Sequence, residues 1–190
     1  METTLIPSLL DRTVPHLDRK VRDALLVVTG AAFVAAMAQI KVPLPFTPVP
    51  VTGQTFAVLV IGAALGARKG AASLLLYLLL GFVGLPVFAG GTGGLVVVFG
   101  PTAGYLVGFI VAAYVIGLLA ARGLDRRIPS ALLAFLAGEA IIYLFGVAWL
   151  STFLGLQRAI VAGLLPFLIG DAIKLVAAAL VLPAAWKIVK

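Results

Sequence analysis

The stretch LLPFLIGDAIKLVAAAL, Leu164–Leu180, holds two ionisable residues inside an otherwise apolar run. Leucine, isoleucine and alanine at this density specify a helix whose natural solvent is hydrocarbon. An Asp or Lys at the centre of such a helix costs about 2.5–3.5 kcal/mol on insertion scales, so it faces a cavity or an opposite charge. Asp171 and Lys174 stand three residues apart, a spacing that places both on one helical face. With Pro166 in the first turn, Asp171 lies near the positive end of the helix dipole, which favours its charged form. At ~1.5 Å per residue the two groups lie roughly 7–12 Å below that helix end. The depth suits a polar site opening to one side of a membrane. The competing reading is a self-neutralising pair that only supports packing. The desolvation such a pair demands weighs against it.

The rest of the chain agrees with a bilayer. Of 190 residues, 63% are hydrophobic and only 11% are charged. A soluble domain of this size lacks the volume to hide so much apolar surface, and the remaining polar residues are too few for a separate soluble domain. The formal charge of +7 lies in short clusters between apolar runs, without the basic stripe and interleaved aromatics of a nucleic-acid surface. There is no Cys, and the only His is His16 in the polar N-terminal segment. Composition therefore excludes thiolate chemistry and argues against a His-ligated zinc site or a Ser–His pair within the membrane.

Six apolar runs predict six transmembrane helices, over Ala24–Ile40, Thr55–Ala67, Ala71–Leu85, Thr102–Ala121, Ala131–Leu150 and Pro166–Trp186. The small residues Ala36–Ala38 resemble a signal-peptidase site. The charged region ahead of them is long for a signal peptide, so the first span is read as retained. The basic residues set the orientation. With a cytoplasmic N-terminus, Arg12, Arg19, Lys20, Arg22, Arg68, Lys69, Arg122, Arg126, Arg127, Lys187 and Lys190 all fall inside, eleven of the fourteen. Only Lys41 and Arg158 fall outside, and Lys174 lies within a span. This asymmetry predicts an all-α polytopic membrane protein with both termini cytoplasmic. Residues 1–23 form a cytoplasmic N-terminal tail or surface helix, and 24–190 a six-helix substrate-binding membrane domain.

Three external loops follow, over 41–54, 86–101 and 151–165. The first has four prolines between Pro43 and Pro50, which forbid regular helix and suggest a stiff lid. The second is glycine-rich, so its backbone turns tightly or approaches a ligand closely. Phe88, Gly90 and Gly91 are its candidate contacts. Ordinary connection explains both loops equally well. Thr52, Gln54 and Thr55 sit at the start of the second span and offer hydrogen bonds at the outer mouth; a cap alone would also explain Thr52. Glu139 is the third ionisable residue within the spans. Tyr143 lies one turn on, in reach of a hydrogen bond to it. Glu139 reads equally as a second pocket wall or as a structural buried acid. In the first span Ala31, Ala32, Ala35 and Ala36 form small-xxx-small spacing, which permits close helix approach, either within the chain or to a partner.

These stretches resemble a known family. PVPVTGQT (Pro48–Thr55), LGARKGAASLLLYLLLGFVGLPVFAGGTGG (Leu65–Gly94), GPTAGYLVGF (Gly100–Phe109) and PFLIGDAIK (Pro166–Lys174) are together similar to the BioY family. These are the biotin-binding S components of energy-coupling-factor (ECF) transporters. The resemblance implies a six-helix fold that binds the vitamin near the outer face, with Asp171 and Lys174 touching biotin. It implies work alongside a transmembrane coupling subunit and two ATPase subunits in the cytoplasmic membrane of a bacterium or archaeon. The first-span alanines resemble the surface with which S components dock on the coupling subunit.

The chemistry of the residues agrees. Biotin carries ureido N–H donors, a ureido carbonyl and a carboxylate. Asp171 accepts, Lys174 donates, and an apolar pocket suits the bicyclic ring and valeryl chain. The sequence has no Walker A pattern, so an ATP-driven uptake must be energised by partners. The expectation is biotin capture without catalysis and without a cofactor, biotin being cargo. The alternative is a proton-coupled secondary transporter of a small carboxylate or vitamin, with Glu139 and Asp171 carrying protons. A membrane-embedded enzyme would need a nucleophile–base pair or metal cluster that the sequence does not show.

Overall fold

A computed structural model describes residues 4–13, 16 and 18–189. Of the basic residues used for orientation, Lys190 lies outside that set, as do 14, 15 and 17 of the N-terminal segment. The chain is a helical bundle. A short helix α1 (Leu5–Thr13) precedes α2 (Arg19–Ala38), α3 (Gln54–Leu65) and α4 (Ala67–Phe82). A one-turn helix α5 (Leu95–Val98) leads to α6 (Ala103–Ala121), and a 3-10 turn (Leu124–Arg126) leads to α7 (Ile128–Leu154). Then come α8 (Leu156–Gly163) and α9 (Leu168–Val189). Each of the six apolar runs holds one of the long helices. By length and composition α2, α6, α7 and α9 are able to cross a membrane, while α3 is a shorter apolar helix of 12 residues. The chain is thus a multi-pass membrane protein.

Outward-facing apolar side chains fit that setting. Leu133, Leu144, Ile169 and Ile173 are each 66–78% exposed, and in hydrocarbon such surface needs no cover. The interior is packed through small residues. Gly104 and Gly108 of α6, four apart, face α7. A Cβ at Gly104 would stand 2.3 Å from Trp149 Cβ, and one at Gly108 3.2 Å from Ile142 Cα. The missing side chains let the two helix axes come together. The Tyr105 ring occupies the space where Gly146 lacks a Cβ, and its hydroxyl donates to Gly163 O of α8 at 2.7 Å.

Several boundaries differ from expectation. The α2 helix starts at Arg19, before the apolar run, because Asp18 caps it, accepting from the backbone N–H of Lys20 at 2.8 Å and of Val21 at 3.3 Å. Residues 151–165 are not a loop. The α7 helix runs on to Leu154, Gly155 breaks it at a positive φ of 78°, and α8 follows. Pro166 lies in the turn ahead of α9 rather than in its first turn, since the helix begins at Leu168. The proline loop closes as a hairpin, with β1 (Lys41–Val42) antiparallel to β2 (Val51–Thr52) and Lys41 opposite Thr52. The prolines fall in the connection between these strands, where no ladder N–H is required.

Candidate functional site

At the hairpin end of the bundle a cavity of about 280 Å³ opens between both loops and helices α3, α6, α7 and α9. Its polar centre is the face of α9 that the opening stretch anticipated. Lys174 Nζ donates to Asp171 Oδ1 at 2.8 Å and to Thr55 Oγ1 at 3.0 Å. Thr55 in turn donates to the same Asp171 oxygen at 3.0 Å. Tyr143 of α7 donates to the other oxygen, Oδ2. Asp171 is buried, 6% exposed, and lies in the first turn of α9. Counted from Leu168, Asp171 and Lys174 stand about 4.5 and 9 Å into the helix at ~1.5 Å per residue. The pair is therefore a three-donor, dipole-supported ion pair at a helix start.

A second polar chain runs beside it. Thr52 Oγ1 donates to Gln54 Oε1 at 2.9 Å, and Gln54 Nε2 donates to the Tyr77 hydroxyl at 2.7 Å. The Tyr77 ring meets Phe88 edge-on, with centroids 5.4 Å apart and planes at 80°. Phe88, 1% exposed, fixes the glycine loop to α4 by filling the space over Gly81. Gln39 clips the same loop to the end of α2, donating from Nε2 to the Val87 and Phe88 carbonyls at 3.4 Å each.

Seven of the residues singled out from sequence line this cavity: Asp171, Lys174, Tyr143, Thr52, Gln54, Thr55 and Phe88. Three do not. Gly90 and Gly91 form the tip of a tight turn with φ of 73° and 72°, closed by Phe88 N–H to Thr92 O at 2.9 Å. Their neighbours Ala89 and Thr92 face the cavity instead. Glu139 lies one turn along α7 from Tyr143, outside the lining. It is 4% exposed, and neither carboxylate oxygen has a hydrogen-bond partner among the described residues. The expected Tyr143–Glu139 bond is replaced by Tyr143–Asp171 because that face of α7 turns toward α9. Lys41, Phe109 and Phe167 also line the site, and sequence reasoning did not select them. The two Phe carry no chemical signal to separate them from core residues. Lys41 is a lone cation in an external loop, and that was a usable signal. The first-span alanines divide. Ala31 is buried in the chain's own bundle, Ala35 is half-buried, and Ala32 and Ala36 face outward.

A profile of the BioY family matches residues 10–190. The chain belongs to the BioY family. It is 42% identical over 139 residues to the biotin transporter BioY of Rhizobium etli, covering 69% of this chain and 74% of the relative. It is 40% identical over 135 residues to the probable biotin transporter BioY of Pyrococcus horikoshii, covering 71% and 78%. Among solved structures it is similar to the S-component for biotin from an ECF-type ABC transporter, with a TM-score of 0.79 and 26% identity over 89% of this chain and 93% of that one.

Proposed function

We propose that this BioY chain captures biotin within the membrane as the substrate-binding subunit of an ECF-type transporter, energised through partner subunits. It is a transporter subunit and not an enzyme, and biotin is its cargo rather than a cofactor. The observation that carries the reading is the Asp171–Lys174–Thr55–Tyr143 cluster set in the wall of a mainly apolar cavity of about 280 Å³. Such a pocket, close to the lower end of the roughly 300–1,000 Å³ usual for small-molecule sites, offers acceptors for ureido N–H groups and donors for a ureido carbonyl. Phe88, Phe109 and Phe167 supply apolar walls for the rings and the valeryl chain.

Six spans with both termini cytoplasmic, a cytoplasmic segment over 1–23 and a binding domain over 24–190 complete the proposal. The basic-residue asymmetry supports it, in the cytoplasmic membrane of a bacterium or archaeon. The partners are a transmembrane coupling subunit and two ATPase subunits, with Ala32 and Ala36 of α2 as the outward small residues available for docking. A vitamin panel titrated calorimetrically into the purified protein tests the function. Biotin alone should bind, and binding of a different vitamin, or of none, would overturn it. One observation favours a second reading: Glu139, buried and without a hydrogen-bond partner among the described residues, fits a proton-coupled carrier. Uptake by that route would stop promptly when the proton gradient is collapsed.

A further inference from the structure

Three charged residues line the cavity, Asp171, Lys174 and Lys41. Two of them neutralise each other. Lys174 is bonded to Asp171 and Thr55, and Asp171 also accepts from Tyr143. Lys41 differs: among the described residues its side chain makes no ion pair or hydrogen bond. The lining therefore carries one uncompensated positive charge, and it sits at the mouth.

The backbone holds that charge in place. Lys41 is in β1, opposite Thr52, and Gly53 N–H donates to Ile40 O at 3.0 Å beside it. Its side chain lies across the tip of the glycine turn. A Cβ at Gly90 would stand 2.9 Å from Lys41 Cδ and 3.0 Å from Nζ. Gly90 thus has two reasons to be glycine, its φ of 73° and the room it leaves for the ammonium.

We infer that Lys41 receives the carboxylate of the cargo, so that the ligand lies with its ureido head on the Asp171 cluster and its acid at the hairpin. The inference rests on the proposed biotin reading. The reverse pose would bring the ligand carboxylate against Asp171, and two carboxylates sharing one ammonium repel. The forward pose gives Asp171 the N–H donors it accepts, and gives Lys41 the anion it lacks. A ligand held this way bridges α9 to both loops, because Lys41 touches the hairpin and the glycine turn at once.

The test compares biotin with biotinamide, which keeps the head and chain but is neutral. Both are titrated into the parent, Lys41→Met and Lys41→Arg, with folding followed by thermal melting. The parent should prefer biotin by about tenfold, the low end for a charge-assisted bond because Lys41 is exposed and screened. Lys41→Met should lose that preference by binding biotin more weakly and biotinamide unchanged, while Lys41→Arg should keep it. In the parent, the preference should shrink as ionic strength rises, a readout independent of any variant's folding. An unchanged preference in Lys41→Met, or an equal loss for both ligands, overturns the assignment while leaving biotin capture intact. A parent that binds no biotin sinks the proposed function itself.

Discussion

Replacing Asp171 by Asn removes one charge at nearly constant volume. Its consequences follow from the bonds in place. The carboxylate accepts from Lys174, Thr55 and Tyr143. An amide keeps a single acceptor and turns the other position into a donor, which meets a donor already there. The Lys174 side chain is only 18% exposed, so its ammonium is left partly desolvated without a counter-charge. Removing one partner of such a pair costs about 3–5 kcal/mol when burial is complete. A loss of about 2–3 kcal/mol in stability is expected here, since Lys174 keeps Thr55 and some water. Biotin affinity should fall by about 1.5–3 kcal/mol, roughly ten- to 150-fold, as a charge-assisted bond to the ligand is lost. Adding Lys174→Met separates the two effects. The double variant Asp171→Asn, Lys174→Met has no stranded charge, so its melting temperature should recover toward the parent while biotin binding stays weak. Calorimetric titration with biotin and thermal melting in the same detergent measure both quantities. A double variant that folds and binds biotin like the parent would show that the pair serves packing alone, and the reasoning would fail.

Four further outcomes are expected. Ala31→Trp should lower the melting temperature, because Ala31 is 2% exposed and overpacking costs about 1–3 kcal/mol or more. Ala36→Trp should leave folding and biotin binding intact yet weaken co-purification with a coupling subunit. Single cysteines placed in this Cys-free chain at positions 46 and 92 should react with an impermeant external reagent, and one at 68 should not; external labelling at 68 would contradict the six-span topology. Burial raises the Asp125 carboxyl above the usual range, against the lowering pull of the Trp186 N–H and the Arg126 charge. The folded state then holds that proton more tightly than the unfolded one, so stability falls as pH rises through the interval just above the ordinary carboxylate value. Asp125→Asn keeps an acceptor for the indole, which donates at 2.6 Å, and should flatten that decline in melts recorded across the acid range.

The helices were legible because lipid leaves little choice. Long apolar runs must satisfy their own backbone, and each of the six runs did so as helix. The Asp171–Lys174 spacing was legible for a related reason, since an i,i+3 pair shares a face whatever surrounds it. What could not be read was rotation and distance between elements. Tyr143 lies close along α7 to Glu139 and yet bonds to Asp171, 28 positions away. Thr55 meets Lys174 across 119 positions. Spacing within one helix says nothing about which neighbour each face meets. The α8 helix escaped because Gln157 and Arg158 interrupt its hydrophobicity, and it packs on the bundle by an amphipathic face rather than as a span. Ala31 and Ala32 are equivalent in composition, but one is buried and the other faces out, a difference of a 100° rotation that periodicity in an alanine-rich run does not reveal.

The polar centre of this cavity is closed upon itself: Lys174, Asp171, Thr55 and Tyr143 satisfy one another, as do Thr52, Gln54 and Tyr77. That completeness bears on how such a site can change over generations. A substitution at any one member strands the groups it served, so drift through single steps crosses a valley of less stable intermediates. A change of cargo is then reached by replacing several members together, or by altering residues that nothing else depends on. Lys41 is of the second kind, and divergence in what descendants of this chain carry should show first at the hairpin and last on α9.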